Sequence, residues 1–512
     1  MSLNLSDMNN PLPARFSMKQ RQVSKIFYRA LIVGGIITML FMPSDLLSRE
    51  LTLDEAIDVA LNRTARGEMI RGNLEVAEQN YFARKINFYL PEISINGAVP
   101  AYSVDESYRL FGGASKSGLF KTRDLGFRSF IELRQSLITG GDVTVTANLT
   151  AQDFRYPNTG PDALETPFIN QESRQGDFNF SYTQPLLKAS ESKFTLRNTK
   201  DDFLIAEIDR VEDEAALKKE VIETYLGVLQ MSLQSELYNA KFESASLTSE
   251  IDSSKLLDGV ISEEDWLLSA SGRLDAELDK FEKDNESNEK RRELAILLDL
   301  DATETMSLAE PQLASLLDDD IKQQMLDSWE SSAPVIKAEI EYTKQKRLAD
   351  YAASGHGLSG DLTANYSTGQ GRVDVDGSRE NINTKGWGIS LNFSLPLWDG
   401  GSSGAAVKAA RLGAEQAKLE HNRTKRSTRA EIINLVNQLD VSYRRLEIIR
   451  KQIELAENKL DIAKMRYDDG QISMVTYLES RVFYLETRDK YLEELKSYLL
   501  NRVELESKFI EG

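Results

Sequence analysis

GWGISLNFSLPLWDGGSS, residues 386–403, decides the fold. From Trp387 the residues alternate strictly. Trp387, Ile389, Leu391, Phe393 and Leu395 fall on one side, and Gly388, Ser390, Asn392 and Ser394 on the other. A period of two is that of a β-strand with one apolar and one polar face. The strand stops at Pro396, turns through Asp399, Gly400 and Gly401, and gives way to a long helix-forming run.

An earlier segment repeats this plan. Phe178, Phe180 and Tyr182 alternate with Asn179, Ser181 and Thr183, and Pro185 ends the strand before another long helical run. Setting Pro185 on Pro396 gives an offset of 211, which also places Glu220 on Glu431, Gly259 on Gly470 and Ser262 on Ser473. Upstream, Ile70, Leu74 and Gln79 fall on Ile336, Ile340 and Gln345 at an offset of 266. The chain is therefore an internal duplication of a helix–strand–helix unit. The first repeat spans 51–300, with four strands at 92–186 and a tip turn at 257–263. The second spans 301–512, with two strands at 361–396 and a tip turn at 468–474. The surplus in the first repeat reads as a hairpin about Thr139-Gly140-Gly141-Asp142.

The chain has 512 residues, 28% of them charged, a formal charge of −19 and no cysteine. Such acidity disfavours nucleic acid, which needs a basic surface. Lack of cysteine excludes disulfides, thiolate metal sites and a lipidated N-terminal Cys. Arg15, Lys19, Arg21, Lys25 and Arg29 precede an apolar run at 30–42. That run is short for a spanning helix, which wants about 20 residues, and suits a signal peptide over 1–44; a retained signal anchor is the alternative.

Six strands of about ten residues emerge, each apolar on one side, the lengths of strands that cross an outer-membrane bilayer. Polar stretches at 103–126, 154–176 and 368–385 read as loops. A soluble β-sandwich face has the same alternation, but the long flanking helices offer no second sheet. An open sheet in lipid leaves unpaired edges, which is not tolerated. Closure needs more than one chain.

Helices over 188–257 and 402–468 are each answered by a returning helix, over 262–299 and 473–509. Helices of about 100 Å are stable only side by side, in coiled-coil fashion. Gly259 and Gly470 suit left-handed C-caps. Ser262 and Ser473 suit the next N-cap, with Asp265 completing a capping box. Ile261 with Trp266, and Ile472 with Tyr477, stand at hydrophobic-staple spacing.

In LTLDEAIDVAL (51–61), the duplicated layout, SLPLWDGG (394–401) and the paired tips LDGVISEEDW (257–266) and YDDGQISMVTYL (467–478), the chain resembles the outer-membrane efflux and secretion channels of the TolC type. The resemblance implies a mainly α protein with a β-barrel part. Its long antiparallel coiled-coil hairpins line a periplasmic tunnel, and its strands close one transmembrane barrel in a homotrimer. It also implies a bacterial outer-membrane exit duct for efflux or type I secretion. A periplasmic adaptor (membrane fusion protein) docks on the tips and an inner-membrane pump supplies cargo. On that basis the adaptor-docking tips are Gly259, Ile261, Ser262, Gly470, Ile472 and Ser473. Asp265, Tyr467 and Glu479 match the periplasmic entrance, and Ile472 stands where some members have an arginine latch partner. Trp387, Ile389, Leu391, Phe393 and Leu395 become the lipid-facing strand. The family commonly has four strands per chain against six here, so the barrel has eighteen strands, or twelve with the Gly140 hairpin outside it.

No catalytic, cofactor or metal motif survives inspection. Gly355-His356-Gly357-Leu358-Ser359-Gly360 fits a dinucleotide pattern but follows a helix and precedes a strand, the reverse of the required order. Gly400-Gly401-Ser402-Ser403-Gly404 fits a nucleophile elbow, but the only downstream histidine, His421, lies far along the same helix. The competing function is a membrane-anchored periplasmic coiled-coil scaffold, which leaves the amphipathic strands unexplained. The cargo is not legible.

Overall fold

The computed structural model of the protein describes residues 50–110, 117–158, 168–301, 307–311 and 319–509. The expected signal peptide lies outside them. Eight helices and six strands follow in the order α1 (Leu53–Asn62), α2 (Ala65–Tyr89), β1 (Glu92–Leu110), β2 (Ser117–Ser136), β3 (Asp142–Pro157), β4 (Phe168–Pro185), α3 (Glu191–Leu257), α4 (Glu263–Leu297), α5 (Asp319–Asp327), α6 (Ala333–Ser354), β5 (Ser359–Val375), β6 (Ser378–Ser394), α7 (Ser402–Asp468) and α8 (Met474–Ser507). The chain divides into two compact units, neither of them a sequence repeat. Of the described residues, one gathers those up to Gly67, those from Ala215 to Lys322 and those from Asn434 onward, and the other those from Glu68 to Glu214 and from Gln323 to Ile433.

The second unit holds one antiparallel sheet in simple chain order, β1-β2-β3-β4-β5-β6. Its strands run 16 to 20 residues, about twice the expected length. The three stretches read as polar loops are mostly strand. The ladder continues past the alternating segment, with Val104 on Arg123, Arg155 on Asn170 and Arg372 on Asn381. Beyond the apolar zone both faces carry polar side chains, so alternation fades although backbone pairing does not. β5 and β6 are joined by a two-residue turn at Asp376 and Gly377, with φ of 46° and 86°, the positive values of a type I′ hairpin. At the Thr139–Asp142 turn, Leu137 N–H donates to Gly141 O at 2.7 Å and Gly140 has φ 92°.

Helices of this unit pack in the order α2, α3, α6, α7. Tyr81 stacks on Phe203 and Phe194 on Tyr351, at ring distances of 5.8 and 4.4 Å. Lys337 bridges Asp209 and Glu212, Lys344 pairs with Asp202, and Arg347 with Asp201. Tyr342 stacks on His421.

The first unit is a helical layer in the order α4, α3, α8, α7. Leu233, Leu237 and Ala240 of α3 are buried against Leu485 and Leu492 of α8. Lys241–Glu486 and Arg481–Glu236 close that contact on its rim, at 3.0 and 2.9 Å. Ser235 donates to Asp284 and Arg291 to Ser232, tying α3 to α4. Tyr443 meets Tyr498, and Lys459 lies over Phe483, tying α7 to α8. The predicted capping box of α1 is present: Thr52 N–H donates to Glu55 Oε2 at 3.1 Å and Glu55 N–H to Thr52 Oγ1 at 3.3 Å. The Tyr225 hydroxyl lies 2.7 Å from both Leu51 O and Ala309 O, beside the parallel bridge Leu51–Leu308. Burial, chiefly, raises its pKa.

Candidate functional site

Two surfaces carry chemistry, one on the sheet and one at the helix ends. On the sheet, side chains opposite in register share a face. One row runs Ile93, Leu133, Val145, Phe180, Tyr366 and Trp387 across all six strands. The next runs Ile95, Ile131, Ala147, Phe178, Thr368 and Lys385. On the opposite face the corresponding row is Glu92, Arg134, Thr144, Ser181, Asn365 and Gly388. On β6 Trp387, Ile389, Leu391 and Phe393 lie on the apolar face as expected, Trp387 exposed at 79% and Leu391 at 48%, whereas Leu395, also exposed, falls just past the strand's end at Ser394.

The apolar band is oblique to the register. On β2 it reaches Leu125, which is level with Arg379, eight residues short of Trp387 where the β6 band begins. Eight residues are about 27 Å of strand and four strand steps about 19 Å. The band therefore crosses the strands at an inclination on the order of 50°, near the tilt of strands in transmembrane barrels. Along β4, Phe168, Asn170, Glu172, Arg174 and Phe178 are exposed while the residues between them are partly covered, so the apolar face is the more open one. The polar face meets the helices in a cavity of about 560 Å³ lined by Arg84, Glu92, Arg134, Asp142, Glu191 and Asp361, among others.

At the helix ends the two tips superpose bond for bond at the offset of 211. Gly259 N–H donates to Leu256 O at 3.0 Å and Val260 N–H to Lys255 O at 2.8 Å. Gly470 N–H donates to Tyr467 O at 2.9 Å and Gln471 N–H to Arg466 O at 2.8 Å. This is the Schellman pairing, with the glycine left-handed at C′; φ is 71° at Gly259 and 68° at Gly470. Ser262 and Ser473 then cap α4 and α8, accepting from Asp265 N–H and Thr476 N–H at 3.1 and 3.2 Å. A Cβ at either glycine meets nothing within 4 Å. Gly259→Ala and Gly470→Ala therefore each cost only the left-handed backbone penalty, about 1–2 kcal/mol. Amide exchange should quicken at that tip alone, and an equal rise at both tips in a single variant speaks against local caps.

The residues matched to the entrance fare differently from one another. Asp265 completes the capping box, accepting from Ser262 Oγ at 2.7 Å and from Ser262 N–H at 3.3 Å. Those bonds hold its carboxyl below the usual range, so it is ionised whatever else it does. Glu479 is exposed in the second turn of α8, with no ion pair among the described residues. Tyr467 stacks on Tyr477 at 5.8 Å, joining α7 to α8 across the tip. Its hydroxyl makes no hydrogen bond among the described residues. Ile261 and Ile472 are half-buried between each glycine and its capping serine.

Sequence reasoning missed the apolar seams on the edge helices. On α4, Leu267, Leu274 and Phe281 recur every seven residues, 52–77% exposed. On α7, Val441, Ile448, Leu455 and Ile462 do the same at 49–70%. A seven-residue apolar repeat is a coiled-coil seam, and these two are left uncovered by the described residues. The seven-residue spacing was there to be counted.

The rejected nucleophile elbow has one unforeseen neighbour. His356 Nδ1 lies 2.8 Å from Ser403 Oγ. Ser403 donates instead to Asp399, which also accepts from Gly401 N–H and Ser403 N–H at 2.8 and 3.0 Å. These bonds lower the Asp399 carboxyl to about 2. So weak a base does not take a hydroxyl proton at neutral pH; the cluster is the N-terminal cap of α7. Among the described residues no group of side chains is arranged to hold a metal ion, and no helix is long and apolar enough to cross a membrane.

The family model described as "Outer membrane efflux protein" matches residues 335–507. No curated protein matches the chain by sequence. In three dimensions it is similar to the Campylobacter jejuni CmeC outer membrane channel, with 16% identity, 89% of this chain and 85% of that one covered, and a TM-score of 0.55. The outer membrane protein VceC of Vibrio cholerae gives 13%, 90%, 97% and 0.56. A membrane protein of Pseudomonas aeruginosa gives 14%, 90%, 90% and 0.56. The chain thus has the fold of the bacterial outer-membrane channels, mainly helical with one antiparallel sheet, and its residues 335–507 match the outer membrane efflux protein family.

Proposed function

We propose that the protein is a trimeric exit duct of the outer membrane. It passes substrate handed over by an inner-membrane pump, through a periplasmic helical tunnel, to the outside. The observation that carries this is a repeated incompleteness. The sheet ends in two open edges, β1 and β6, and carries an oblique apolar band. The helical layer ends in two exposed apolar seams, on α4 and α7. Joining β6 to β1 and α7 to α4 of the next copy satisfies both deficits with one heterologous contact, and three copies close the ring. All six strands belong to one continuous sheet, which favours eighteen strands over twelve. A barrel of that size leaves an aqueous channel. The six strands then line and wall the pore, and the paired tips face a periplasmic adaptor. The chain's work is conduction, and no catalytic step is assigned to it.

Native mass measurement in detergent should give three chains per particle, and planar bilayers a stepwise conductance. A stable, non-conducting monomer sinks the proposal.

The entrance makes a second expectation. Threefold symmetry turns Asp265 and Glu479 into rings of carboxylates, which favour cations in a narrow pore. Asp265→Asn with Glu479→Gln removes that charge at nearly constant shape. The double variant should stay trimeric and lose most of its cation preference and its block by multivalent cations applied from the tip side. Unchanged reversal potentials would leave Asp265 as a helix cap and Glu479 as a solvated side chain.

A further inference from the structure

The apolar face of the sheet does not end in neutral residues. Beyond the band, on the side away from the helices, β2 to β6 each present a basic side chain on that same face: Arg123, Arg155, Arg174, Arg372 and Lys385. All five are exposed. Their positions descend across the register with the band, from the level of Arg123 on β2 to Lys385, directly beside Trp387's row, on β6. A cation row that keeps station with an oblique apolar band lies at one depth in a membrane.

Two of these contacts are costly as they stand. Arg123 is directly opposite Arg155, and Arg174 directly opposite Arg372, and like charges in that relation repel. Only part of the charge is answered within the chain. Arg174 pairs with Asp153 at 2.7 Å and with Glu172 at 3.9 Å, Asp374 lies two residues from Arg372 on the same face and interacts with it, and Arg155 lies over the Phe168 ring at 4.5 Å. Arg123, Arg372 and Lys385 have no ion pair among the described residues, in a protein whose formal charge is −19.

We infer that this row is a binding belt for the phosphate groups of outer-leaflet lipids. It rests on the proposed outer-membrane barrel. The chemistry selects the ligand on both sides of the belt. Acyl chains lie on the apolar band, so the anion belongs to the same amphiphile. Four of the five cations are guanidinium groups, whose planar fork donates to phosphate oxygens in pairs. A phosphate seated between Arg123 and Arg155, or between Arg174 and Arg372, turns a repulsive cross-strand pair into a bridged one. Basic clusters at membrane surfaces hold anionic headgroups in this way.

The test uses the full-length channel purified in detergent, with bisphosphorylated lipid A as probe. The comparisons are the same lipid A stripped of phosphate, and inorganic phosphate in excess. Native mass spectrometry should show retention of the bisphosphorylated form in preference to the stripped one. Arg123→Gln with Arg372→Gln, two of the three arginines without an ion pair among the described residues, should weaken it roughly 30-fold, at about fivefold per cation. Equal retention of both lipids, or of the probe by wild type and variant, overturns the belt. Full displacement by inorganic phosphate also overturns it, leaving a site for the free ion. Conductance of the same preparation in phosphate-free lipid separates the two readings. A conducting channel without lipid preference refutes the belt alone, whereas a non-conducting one refutes the barrel beneath it.

Discussion

Leu391→Arg is expected to leave the chain able to form its helices and unable to assemble, whereas Asn392→Arg one residue away assembles normally. Leu391 is the midpoint of the apolar stretch from Trp387 to Leu395 and sits level with Leu362. In the proposed barrel it meets the hydrocarbon at mid-depth, where an arginine costs about 2–4 kcal/mol. That is a roughly 30- to 1,000-fold loss per chain, taken three times in a trimer. Asn392 points to the other face, where its Nδ2 donates to Thr363 Oγ1 at 3.1 Å and its register partner is Asp361. An arginine there meets water and a carboxylate. The measurements are trimer yield in the outer-membrane fraction and the denaturant midpoint of what is recovered. Equal losses in the two variants would refute the assignment of faces. The contrast is informative because both residues are exposed in the single chain and belong to one strand, so only the surroundings supplied by lipid and by other copies distinguish them.

How much of this was legible in the sequence depended on which interactions are local. Caps and turns are local, and Thr52, Ser262, Ser473, Gly259 and Gly470 do what their spacing predicts. The α7 boundaries of 402 and 468 are those expected. The strands were found only where one face is apolar, because alternation reports burial and not backbone pairing. Arg123, Arg155, Arg174 and Arg372 therefore fell inside apparent loops, and no face could be given to them. Their common side becomes visible once the ladder fixes the register, and it passes through the pairing of β4 with β5, whose partners Phe180 and Tyr366 are 186 residues apart. Asp265 shows the opposite limit. Its capping role was written in Ser262-x-x-Asp265, while any role in a pore needs two further chains.

The seams on α4 and α7 give the sharpest test of how the copies meet. Leu274 and Leu455 are 52% and 70% exposed. Exchanging an exposed residue for a charge ordinarily changes stability by less than about 0.5 kcal/mol. If each seam is covered by a neighbouring copy, burial of such a leucine is worth about 1.5–3 kcal/mol, and glutamate forfeits that and adds a desolvated charge. Leu274→Glu and Leu455→Glu should each yield helical, folded chains that sediment as monomers, while Gln452→Glu, on an exposed polar position of α7, stays trimeric. Mixing the two leucine variants then reads the geometry directly. When α7 of one copy meets α4 of the next, a Leu274→Glu chain still offers an intact α7 and a Leu455→Glu chain an intact α4. Together they form one sound contact and cannot form a second, so the mixture should stop at a heterodimer of one chain of each kind. Restoration of trimers on mixing, or homodimers of either variant alone, contradicts head-to-tail closure. In the second case α4 meets α4 and α7 meets α7 by turns, a two-fold arrangement that cannot close three copies and leaves the open edges of β1 and β6 to be satisfied in some other way.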